Sequence, residues 1–477
     1  MIFYAFIAFL LLFFLIGVSS YFVSKQTPSD YLVAGKNMPP LFVGLSAVAT
    51  NNSGFMFIGM IGATYSMGLA SIWLMVGWVL GDYLIQRKTT AQIQQAGQSE
   101  EVHSFGGLVT NWVGNQSQNS NPKQLHRLRQ LIGIITLIFL TVYAAAQLKA
   151  GTKATEALLN WSPEIGILVS AVLIFIYSLA GGLRASIWTD VAQSIVMIIG
   201  MTLMVVFGWI YVSDNGGVFN SLHAVSETYM NWFPADSNGL GAILFVIGWL
   251  FGGFGVIGQP HIVIRFVTLS TKHSVGHMQL YYYSWFFLFY GLTILAGLLS
   301  RVLIPEVADF DAELALPLLA DKIMPEIFVG LILAALFAAT MSTVDSLILA
   351  CSASLSRDLT VTPTKSIWLT KLSTFIVLVV AVSFAMSNNQ TVFNLVLDAW
   401  GMLGSAFAPL VLWLALGRQT SAISAITAII VGMLIFSLFT YGGYLTNIYA
   451  LTFGFLAGLA TLVLSEYLLE KSKTNVR

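Results

Sequence analysis

Long apolar stretches separated by short polar ones run along almost the entire chain. Each apolar stretch carries few or no charged residues, and a membrane-spanning helix needs about 20 apolar residues. The pattern predicts an all-α polytopic membrane protein. It predicts thirteen spanning helices, at residues 2–23, 38–67, 69–85, 131–158, 165–181, 189–212, 240–264, 278–299, 327–353, 367–386, 392–416, 422–440 and 447–469.

The composition agrees with a location in the lipid bilayer. Of the 477 residues, 57% are hydrophobic and 9% are charged, whereas a soluble domain carries about 25% charged residues. Lipid-facing surface needs no charge, so the deficit excludes an ordinary soluble protein. The net charge of zero gives no indication of a nucleic-acid partner. The single cysteine, Cys351, excludes a disulfide within the chain.

The distribution of basic residues predicts the orientation. No Lys or Arg precedes residues 2–23, so we interpret them as a spanning helix with its N-terminus outside, and not as a signal peptide. With thirteen helices, 17 of the 21 Lys and Arg residues, including Arg184 and Arg265, then fall on the cytoplasmic side, which satisfies the positive-inside rule. The C-terminus is expected in the cytoplasm. The four remaining cations are Lys149, Lys153, Arg301 and Lys322.

The long loops hold no recognisable soluble domain. Residues 86–130 are rich in Asn and Gln and show little periodicity, which predicts a polar, partly disordered cytoplasmic loop. Residues 213–239 contain no Lys or Arg, and acidic residues collect between Glu306 and Glu326, as expected of outer loops. No Walker-type phosphate-binding motif is present, so an ATP-driven pump has no support.

Two predicted helices contain interruptions. Thr50-Asn51-Asn52-Ser53-Gly54 lies inside the second helix, and Gly252 to His261, with four glycines and Pro260, lies inside the seventh. Glycine and proline are costly within a helix. In a membrane such backbone is tolerated where it lines a cavity or packs on protein. Close helix packing at the glycines is the alternative for the seventh helix taken alone.

The spacing of the interruptions suggests an internal symmetry. The second and seventh helices are five helices apart. This is the offset expected of two inverted repeats, each opened by a discontinuous helix that helps to form a transporter's binding site. We expect the first repeat at residues 38–212 and the second at residues 240–416.

Intramembrane carboxylates are costly and usually functional. Asp345 lies in the middle of the ninth predicted helix, where Ser342 and Ser346 share its face. Carboxylate and hydroxyl oxygens suit a hard cation, and we extend that preference to sodium by analogy with calcium and magnesium. A buried hydrogen bond to a neighbouring helix is the alternative role for Asp345.

Other polar residues near the membrane have simpler interpretations. Asp190 begins the sixth predicted helix, where it could equally act as an N-cap. Asp82 and Asp398 are expected near helix ends. The histidines show no metal-ligand spacing, and three of them are expected at cytoplasmic helix ends or in loops, namely His261, His273 and His277.

Four motifs occur in order within residues 24–418. They are Leu45-Ser46-Ala47-Val48-Ala49 leading into Ser53-Gly54, Gly181-Gly182-Leu183-Arg184-Ala185-Ser186 leading into Asp190, Gly258-Gln259-Pro260-His261 with Arg265-Phe266, and Met341-Ser342-Thr343. In order, spacing and helix count the chain resembles the bacterial sodium/solute symporters, which include sodium/proline and sodium/pantothenate symporters. The resemblance implies a leucine-transporter-like fold of two inverted five-helix repeats and a location in the bacterial inner membrane.

The resemblance also implies the ion sites. Sodium would lie between the break in the second helix and the ninth helix. Its ligands would be the backbone carbonyls of Ala49, Asn52 and Ala339 and the hydroxyls of Ser342 and Thr343. A second sodium, present in some relatives, would match Asp190, Ser342, Asp345 and Ser346.

The implied solute site departs from the proline symporters. Those proteins carry Asp at the position of Asn51 and aromatic residues where this chain has Gly252 and Val256. Fewer aromatic residues imply a roomier or differently shaped pocket. Gln147 and Lys149 would suit an anionic group, although Lys149 could equally reach the outer interface. The implied solute-binding positions are Asn51, Ser53, Gly54, Tyr143, Gly252, Gly255, Val256, Gln259 and Pro260.

We therefore expect sodium-coupled import of a small organic solute by alternating access. Proline or a similar amino acid is the expected solute, and sodium- or proton-coupled uptake of pantothenate or another small carboxylate is the alternative. A ligand sensor would need an output domain, yet only eight residues follow Leu469. No catalytic constellation indicates an enzyme. Sodium is the expected coupling ion, with no organic cofactor and no nucleic-acid partner.

Overall fold

The computed structural model describes residues 1–116, 121–214, 216–234, 239–304, 310–360, 366–387, 391–443 and 448–474. Within these residues the fold is all-α, apart from one isolated backbone bridge between Met38 and Leu269. The α-helices are Ile2–Ser19 (α1), Pro28–Val33 (α2), Pro40–Phe55 (α3), Ile61–Met67 (α4), Ile72–Gly97 (α5), Phe105–Gln116 (α6), Pro122–Leu159 (α7), Pro163–Gly181 (α8), Leu183–Asp214 (α9), Val218–His223 (α10), Gly239–Phe254 (α11), Pro260–Thr268 (α12), Val275–Leu303 (α13), Ala315–Ile323 (α14), Glu326–Ala353 (α15), Ile367–Ser387 (α16), Val392–Ala415 (α17), Ala422–Tyr441 (α18) and Leu451–Thr474 (α19).

Twelve helical stretches in the described part of the chain are long and apolar enough to cross a membrane. One of them, Pro40–Gly97, has 58 residues. It would be about 87 Å long as a straight helix, against a hydrocarbon core of about 30 Å, so its length is enough for two crossings. A turn lies at Gly68, where φ is +69° and a Cβ would stand 2.1 Å from the Tyr229 carbonyl oxygen. The twelve stretches therefore correspond to about the thirteen crossings predicted.

Both predicted interruptions are present. A π turn, Met56–Met60, joins α3 to α4, and a 3-10 turn, Gly255–Gly258, ends α11 ahead of α12. α3 packs against α9, α13 and α15, while the second turn packs against α17. From Val329 to Ala353 every residue of α15 is buried, so this helix forms the centre of the bundle. The two breaks therefore lie within the protein, whereas α11 leaves Leu240, Ile243 and Ile247 exposed.

Glycines bring α5 close to the second broken helix. A Cβ on Gly81 would stand 1.9 Å from the carbonyl oxygen of Leu250, and a Cβ on Gly253 would stand 2.0 Å from that of Trp78. Only hydrogen fits at both positions, so the α5 and α11 backbones touch. This contact places Trp78 and Asp82 beside the break between α11 and α12.

The prediction of a polar, partly disordered loop at residues 86–130 is wrong for its described part. Helix α5 continues to Gly97, α6 follows, and α7 begins at Pro122, while residues 117–120 lie outside the described residues. The amides are used in packing, since Gln94 Nε2 donates to the carbonyls of Leu269 and Ser270 at 3.2 and 3.1 Å. Helix α6 buries Phe105, Leu108 and Val109. A count of Asn and Gln does not reveal such pairings.

The predicted outer loops also contain helices. α10 lies within residues 213–239, and α14 lies within the acidic stretch from 306 to 326, of which residues 306–309 are outside the described part. The acidic residues have partners. Lys153 on α7 pairs with Asp311, and with Glu313 at 2.7 Å. Glu313 in turn accepts the Phe393 backbone N–H at 3.1 Å. These contacts tie the stretch to α7 and α17.

Candidate functional site

The break in the first discontinuous helix lies at Ser53. Its φ of 50° and ψ of −177° are not helical, and residues other than glycine rarely adopt a positive φ. The next N–H, that of Gly54, donates to Gln147 Oε1 on α7 at 2.8 Å. Tyr143 donates to Ser53 Oγ at 3.4 Å. A Cβ on Gly54 would stand 2.6 Å from a Thr340 methyl group, so glycine permits the close approach to α15.

The break in the second discontinuous helix is held by α17. Gln259 is extended, and Pro260 occupies the first turn of α12, where its missing N–H costs nothing. Gln259 Nε2 donates to the carbonyls of Gly255 and Trp400 at 3.3 and 3.0 Å. Val256 is fully buried. The turn is therefore an ordered part of the bundle.

Most of the predicted first sodium set meets where α3 touches α15. Ser342 Oγ donates to the Ala339 carbonyl at 3.0 Å and lies 3.5 Å from the Ala49 carbonyl. Thr343 Oγ1 lies 3.1 Å from the Ala339 carbonyl and 3.2 Å from that of Thr50. The Asn52 carbonyl instead accepts the Met56 N–H.

Sequence reasoning missed Thr50 as a contributor to this junction. Its Oγ1 donates to the Ser342 carbonyl at 3.2 Å and lies 3.0 Å from Ser346 Oγ. The sequence contained a signal for this role, because Thr50 is the first residue of the polar interruption in the second predicted helix. Five oxygens of α15 and three of α3, two of which are carbonyls, are thus gathered into one buried polar patch without a fixed charge. Oxygen ligands of this kind suit a hard monovalent cation.

A buried guanidinium lies beside this patch. Arg265 on α12 is fully buried. Its Nη2 donates to Asp190 Oδ2 on α9 at 3.0 Å and to Ser186 Oγ at 2.8 Å. Its Nε donates to Ser46 Oγ at 2.7 Å, and Nη2 also reaches Ser346 Oγ. One cation therefore joins α3, α9, α12 and α15.

Asp345 belongs to the same cluster. Its carboxylate accepts hydrogen bonds from Tyr177, Ser186 and Ser346, each at 2.9 Å. The structure thus brings together three of the residues predicted for a second sodium, around an arginine that the prediction did not include. Ser346 also donates to the carbonyl of Ser342, the fourth residue predicted for this site, and so connects it to the cluster. Asp190 Oδ1 is buried and has no hydrogen-bond partner among the residues that the structure describes.

Two predictions about this region are wrong. Asp190 is not an N-cap, because α9 begins seven residues earlier, at Leu183. Arg265 is not in the loop after the seventh predicted helix, because it lies within α12 and is fully buried. His261 is the second residue of α12, at a helix end as predicted, and it is also fully buried. The His261 ring stands perpendicular to that of Tyr143 with centroids 5.8 Å apart. Apolar length alone placed these helix boundaries, and it does not detect polar residues that are neutralised by partners.

Asp82 was also misplaced by the sequence. It lies inside α5 and is fully buried, not near a helix end. Asn51 Nδ2 donates to Asp82 Oδ2 at 3.1 Å and to Tyr282 Oη at 2.5 Å. Position 51 itself carries no charge, yet a carboxylate on α5 contacts Asn51.

Of the two alternatives predicted for the pocket at Gly252, roomier or differently shaped, the roomier one is wrong for this conformation. A Cβ on Gly252 would stand 3.1 Å from the Trp78 ring, and Trp400 Nε1 donates to the Gly252 carbonyl at 2.9 Å. A Cβ on Gly255 would stand 2.7 Å from the same indole nitrogen. Aromatic rings from α5 and α17 thus fill the space that the glycines leave. Lys149, predicted to reach the outer interface or to attract an anion, is partly exposed on α7.

Comparison with known proteins places these features in context. A model of the sodium:solute symporter family matches residues 31–432. The high-affinity proline transporter PutP of Bacillus subtilis is 26% identical over 454 residues, which cover 92% of this chain and 93% of that protein. A sodium/proline symporter of Staphylococcus aureus is 27% identical over 436 residues, which cover 88% of this chain and 82% of that protein.

Solved structures share the fold. A Na⁺-coupled sialic acid symporter in a substrate-bound outward-open state has a TM-score of 0.81 at 18% identity, over 98% of this chain and 97% of that one. A nucleobase-cation-symport-1 family transporter in a closed conformation has a TM-score of 0.57 at 15% identity, over 94% and 95%. The predicted fold class, an all-α membrane bundle of the leucine-transporter type, is therefore confirmed.

Proposed function

Because this chain belongs to the sodium:solute symporter family, we propose that it imports proline or a similar small amino acid together with sodium. Both curated relatives described above are named as proline transporters and match nearly the whole chain. The observation that carries the proposal is the patch of hydroxyl and carbonyl oxygens where the broken helix α3 meets α15. The repeats at residues 38–212 and 240–416 are part of the same proposal.

Sodium would be held by the predicted carbonyls of Ala49, Asn52 and Ala339 and the hydroxyls of Ser342 and Thr343. The two hydroxyls now donate to carbonyls of α3 and α15. With sodium bound, the Ser342 and Thr343 hydroxyl hydrogens turn away from the carbonyls that accept them now. The hydroxyl oxygens and those carbonyl oxygens then face the ion. Sodium then links α3 to α15 directly. It stabilises conformations in which the break at Ser53 is fixed, and this differential binding is what coupling requires.

The solute would bind between the two breaks. Three amide side chains there keep one buried polar atom without a hydrogen-bond partner in the described residues, namely Asn51 Oδ1, Gln147 Nε2 and Gln259 Oε1. Buried polar groups are normally paired, so these atoms suit a ligand that offers both donors and acceptors, as the ammonium and carboxylate of an amino acid do. Ser53, Gly54 and Tyr143 complete the proposed site from the first break, with Gly252, Gly255, Val256 and Pro260 from the second.

The gradient sets how much solute can accumulate. One sodium that crosses about 100 mV contributes about 2.3 kcal/mol. That energy supports roughly 50-fold accumulation, since about 1.4 kcal/mol corresponds to tenfold. A second coupled ion would square the ratio. Stoichiometry therefore decides what the transporter can achieve.

We propose a second sodium at Asp190, Ser342, Asp345 and Ser346. With both carboxylates ionised, the cluster around Arg265 holds one more negative charge than positive, and Asp190 Oδ1 lacks a partner. A second cation would neutralise the excess charge and would give Asp190 Oδ1 a partner. We expect two sodium ions per solute in labelled-flux measurements on the wild type and one in Asp345→Ala. A ratio of one in both proteins would refute this second site.

The proposed orientation places the N-terminus outside the bacterial inner membrane and the C-terminus in the cytoplasm. The excess of basic residues in the predicted cytoplasmic segments supports it. An epitope at the C-terminus should resist protease added to intact cells and be lost after the cells are opened. Cleavage in intact cells would reverse the orientation.

The solute is tested by uptake of labelled candidates into proteoliposomes that contain the full chain. Proline and other small amino acids should accumulate under an inward sodium gradient, whereas empty liposomes should accumulate none. Accumulation of pantothenate in place of amino acids would establish the alternative substrate class. Uptake that persists when choline replaces sodium, and that follows a proton gradient, would contradict sodium coupling.

A further inference from the structure

Asp82 is a buried carboxylate that the sodium and solute sites do not use. It lies at the centre of α5, fully buried. Its Oδ1 accepts hydrogen bonds from Gln86 Nε2 at 2.6 Å and from Tyr283 at 2.7 Å. Its Oδ2 accepts from Asn51 Nδ2 at 3.1 Å and from Tyr282 at 2.8 Å. Four neutral donors thus surround one carboxylate, as they would an ionised one.

No cation in the described part of the chain forms an ion pair with this carboxylate. None of the ion pairs among the described residues involves Asp82. The neighbouring α11 and α6 contain no charged side chain, and the Arg265 charge on α12 is engaged with Asp190. The titratable groups on the elements packed against α5 are His277, Tyr281, Tyr282, Tyr283, Tyr290 and Arg301 on α13, His261 and Arg265 on α12, and Asp398 on α17.

The two amides beside Asp82 can serve either protonation state. Both now donate N–H to the carboxylate, which leaves Asn51 Oδ1 and Gln86 Oε1 buried and without hydrogen-bond partners in the described part of the chain. A protonated carboxyl needs an acceptor for its O–H. If either amide group turned by half a turn, its oxygen would face the Asp82 carboxyl and could accept the O–H. The other three side chains could go on donating to Asp82. A metal cation at the same place would need all four donors to turn away, so the geometry favours a proton.

We propose that Asp82 is a proton-binding site of the transport cycle. The donors come from different elements, because Asn51 belongs to the broken helix α3 while the tyrosines belong to α13. If α3 moves relative to α13, the carboxylate loses a donor while it stays buried. An incompletely satisfied buried charge is costly, so the carboxylate takes a proton from water on the open side and returns it when the donors reassemble. This coupling rests on the proposed transport function, whereas the proton site itself does not.

The proton site is tested without any transport. Infrared difference spectra of the purified full chain in sodium-free detergent are recorded as a function of pH. The carboxylic-acid C=O signal at acid pH sums all the protonated Asp and Glu residues, and we expect one band within it that disappears as pH rises and is missing in Asp82→Asn. Asp398→Asn, which removes another intramembrane carboxylate, should keep the band. A band that is equal in the wild type and Asp82→Asn, or no titrating band, would overturn the proposal.

A second variant tests the site even if Asp82→Asn fails to fold. Tyr283→Phe removes one donor to Oδ1. We expect the midpoint of the band to move upward by about one to two pH units, because a hydrogen bond to a charged group is similar in free energy to a tenfold or larger change in proton affinity. An unmoved midpoint would overturn the assignment to Asp82.

The coupling is then tested by uptake. Sodium-driven solute uptake by the wild type should fall as the pH is lowered through the infrared midpoint, whereas uptake by Asp82→Asn should not change across that range. A wild-type profile that is flat through the midpoint would separate the proton site from the cycle and overturn the coupling. Absence of sodium-driven uptake at every pH would contradict the transport proposal, while the infrared result would still stand.

Discussion

Replacement of Arg265 by alanine is expected to destabilise the protein by about 3–5 kcal/mol. The guanidinium is fully buried, and it is the partner of Asp190, Ser186, Ser46 and Ser346. Its loss would leave two buried carboxylates, Asp190 and Asp345, without a cation. We expect most of the variant to elute as aggregate in size-exclusion chromatography, and the folded remainder to unfold at a much lower temperature than the wild type.

Two further variants test whether the lost buried ion pair causes the loss of stability. Arg418→Ala removes an arginine from an exposed pair with Glu466 at 3.7 Å and should change stability by less than about 1 kcal/mol. Arg265→Met combined with Asp190→Asn removes a charge of each sign, so it should recover part of the loss that Arg265→Met shows alone. Wild-type stability of Arg265→Ala would contradict the description of an ionised cluster at the centre of the bundle.

Loss of the Thr343 hydroxyl is expected to weaken sodium binding by about 10- to 100-fold. This range assumes that one oxygen ligand to a cation is similar in free energy to a hydrogen bond to a charged group. Ser342→Ala should behave similarly, because its Oγ contacts the same Ala339 carbonyl. The measurement is the sodium concentration that gives half-maximal uptake at a fixed solute concentration.

Matched variants separate a sodium ligand from a general defect. Thr343→Ser keeps the hydroxyl and should need nearly the same sodium concentration as the wild type. Thr427→Ala removes a hydroxyl that bonds to the Ile423 carbonyl on the exposed side of α18 and should have no effect. If Ser342→Ala and Thr343→Ala both retain the wild-type sodium dependence, the ion is not held between α3 and α15.

The breaks in the two discontinuous helices could be predicted from the sequence because their cause is local. Ser53 and Gly54, and the run from Gly255 to Pro260, are residues that a helix tolerates poorly. Asp345 was also placed correctly, since its neighbours on both sides are apolar enough to fix it at the centre of a spanning helix. Its hydrogen bonds to Tyr177 and Ser186 belong to other helices and could not be predicted.

Residues whose roles depend on distant partners were misplaced. Arg265 and Asp190 look like helix-end residues until they are paired with one another across 75 positions of sequence. Asp82 looked similar, because its tyrosine partners lie 200 positions away on α13. The stretch at 86–130 looked like a solvated loop for the same reason. These residues were misplaced because the sequence does not show which distant side chains form hydrogen bonds or ion pairs with them.

The most direct test of sodium-coupled transport is labelled proline uptake into proteoliposomes, measured with the membrane potential clamped. An inward sodium gradient should drive transient accumulation above the equilibrium level. Choline in place of sodium should give no accumulation above that level, and Thr343→Ala should accumulate proline only at raised sodium concentration. Proline accumulation that is the same with sodium and with choline would contradict the account.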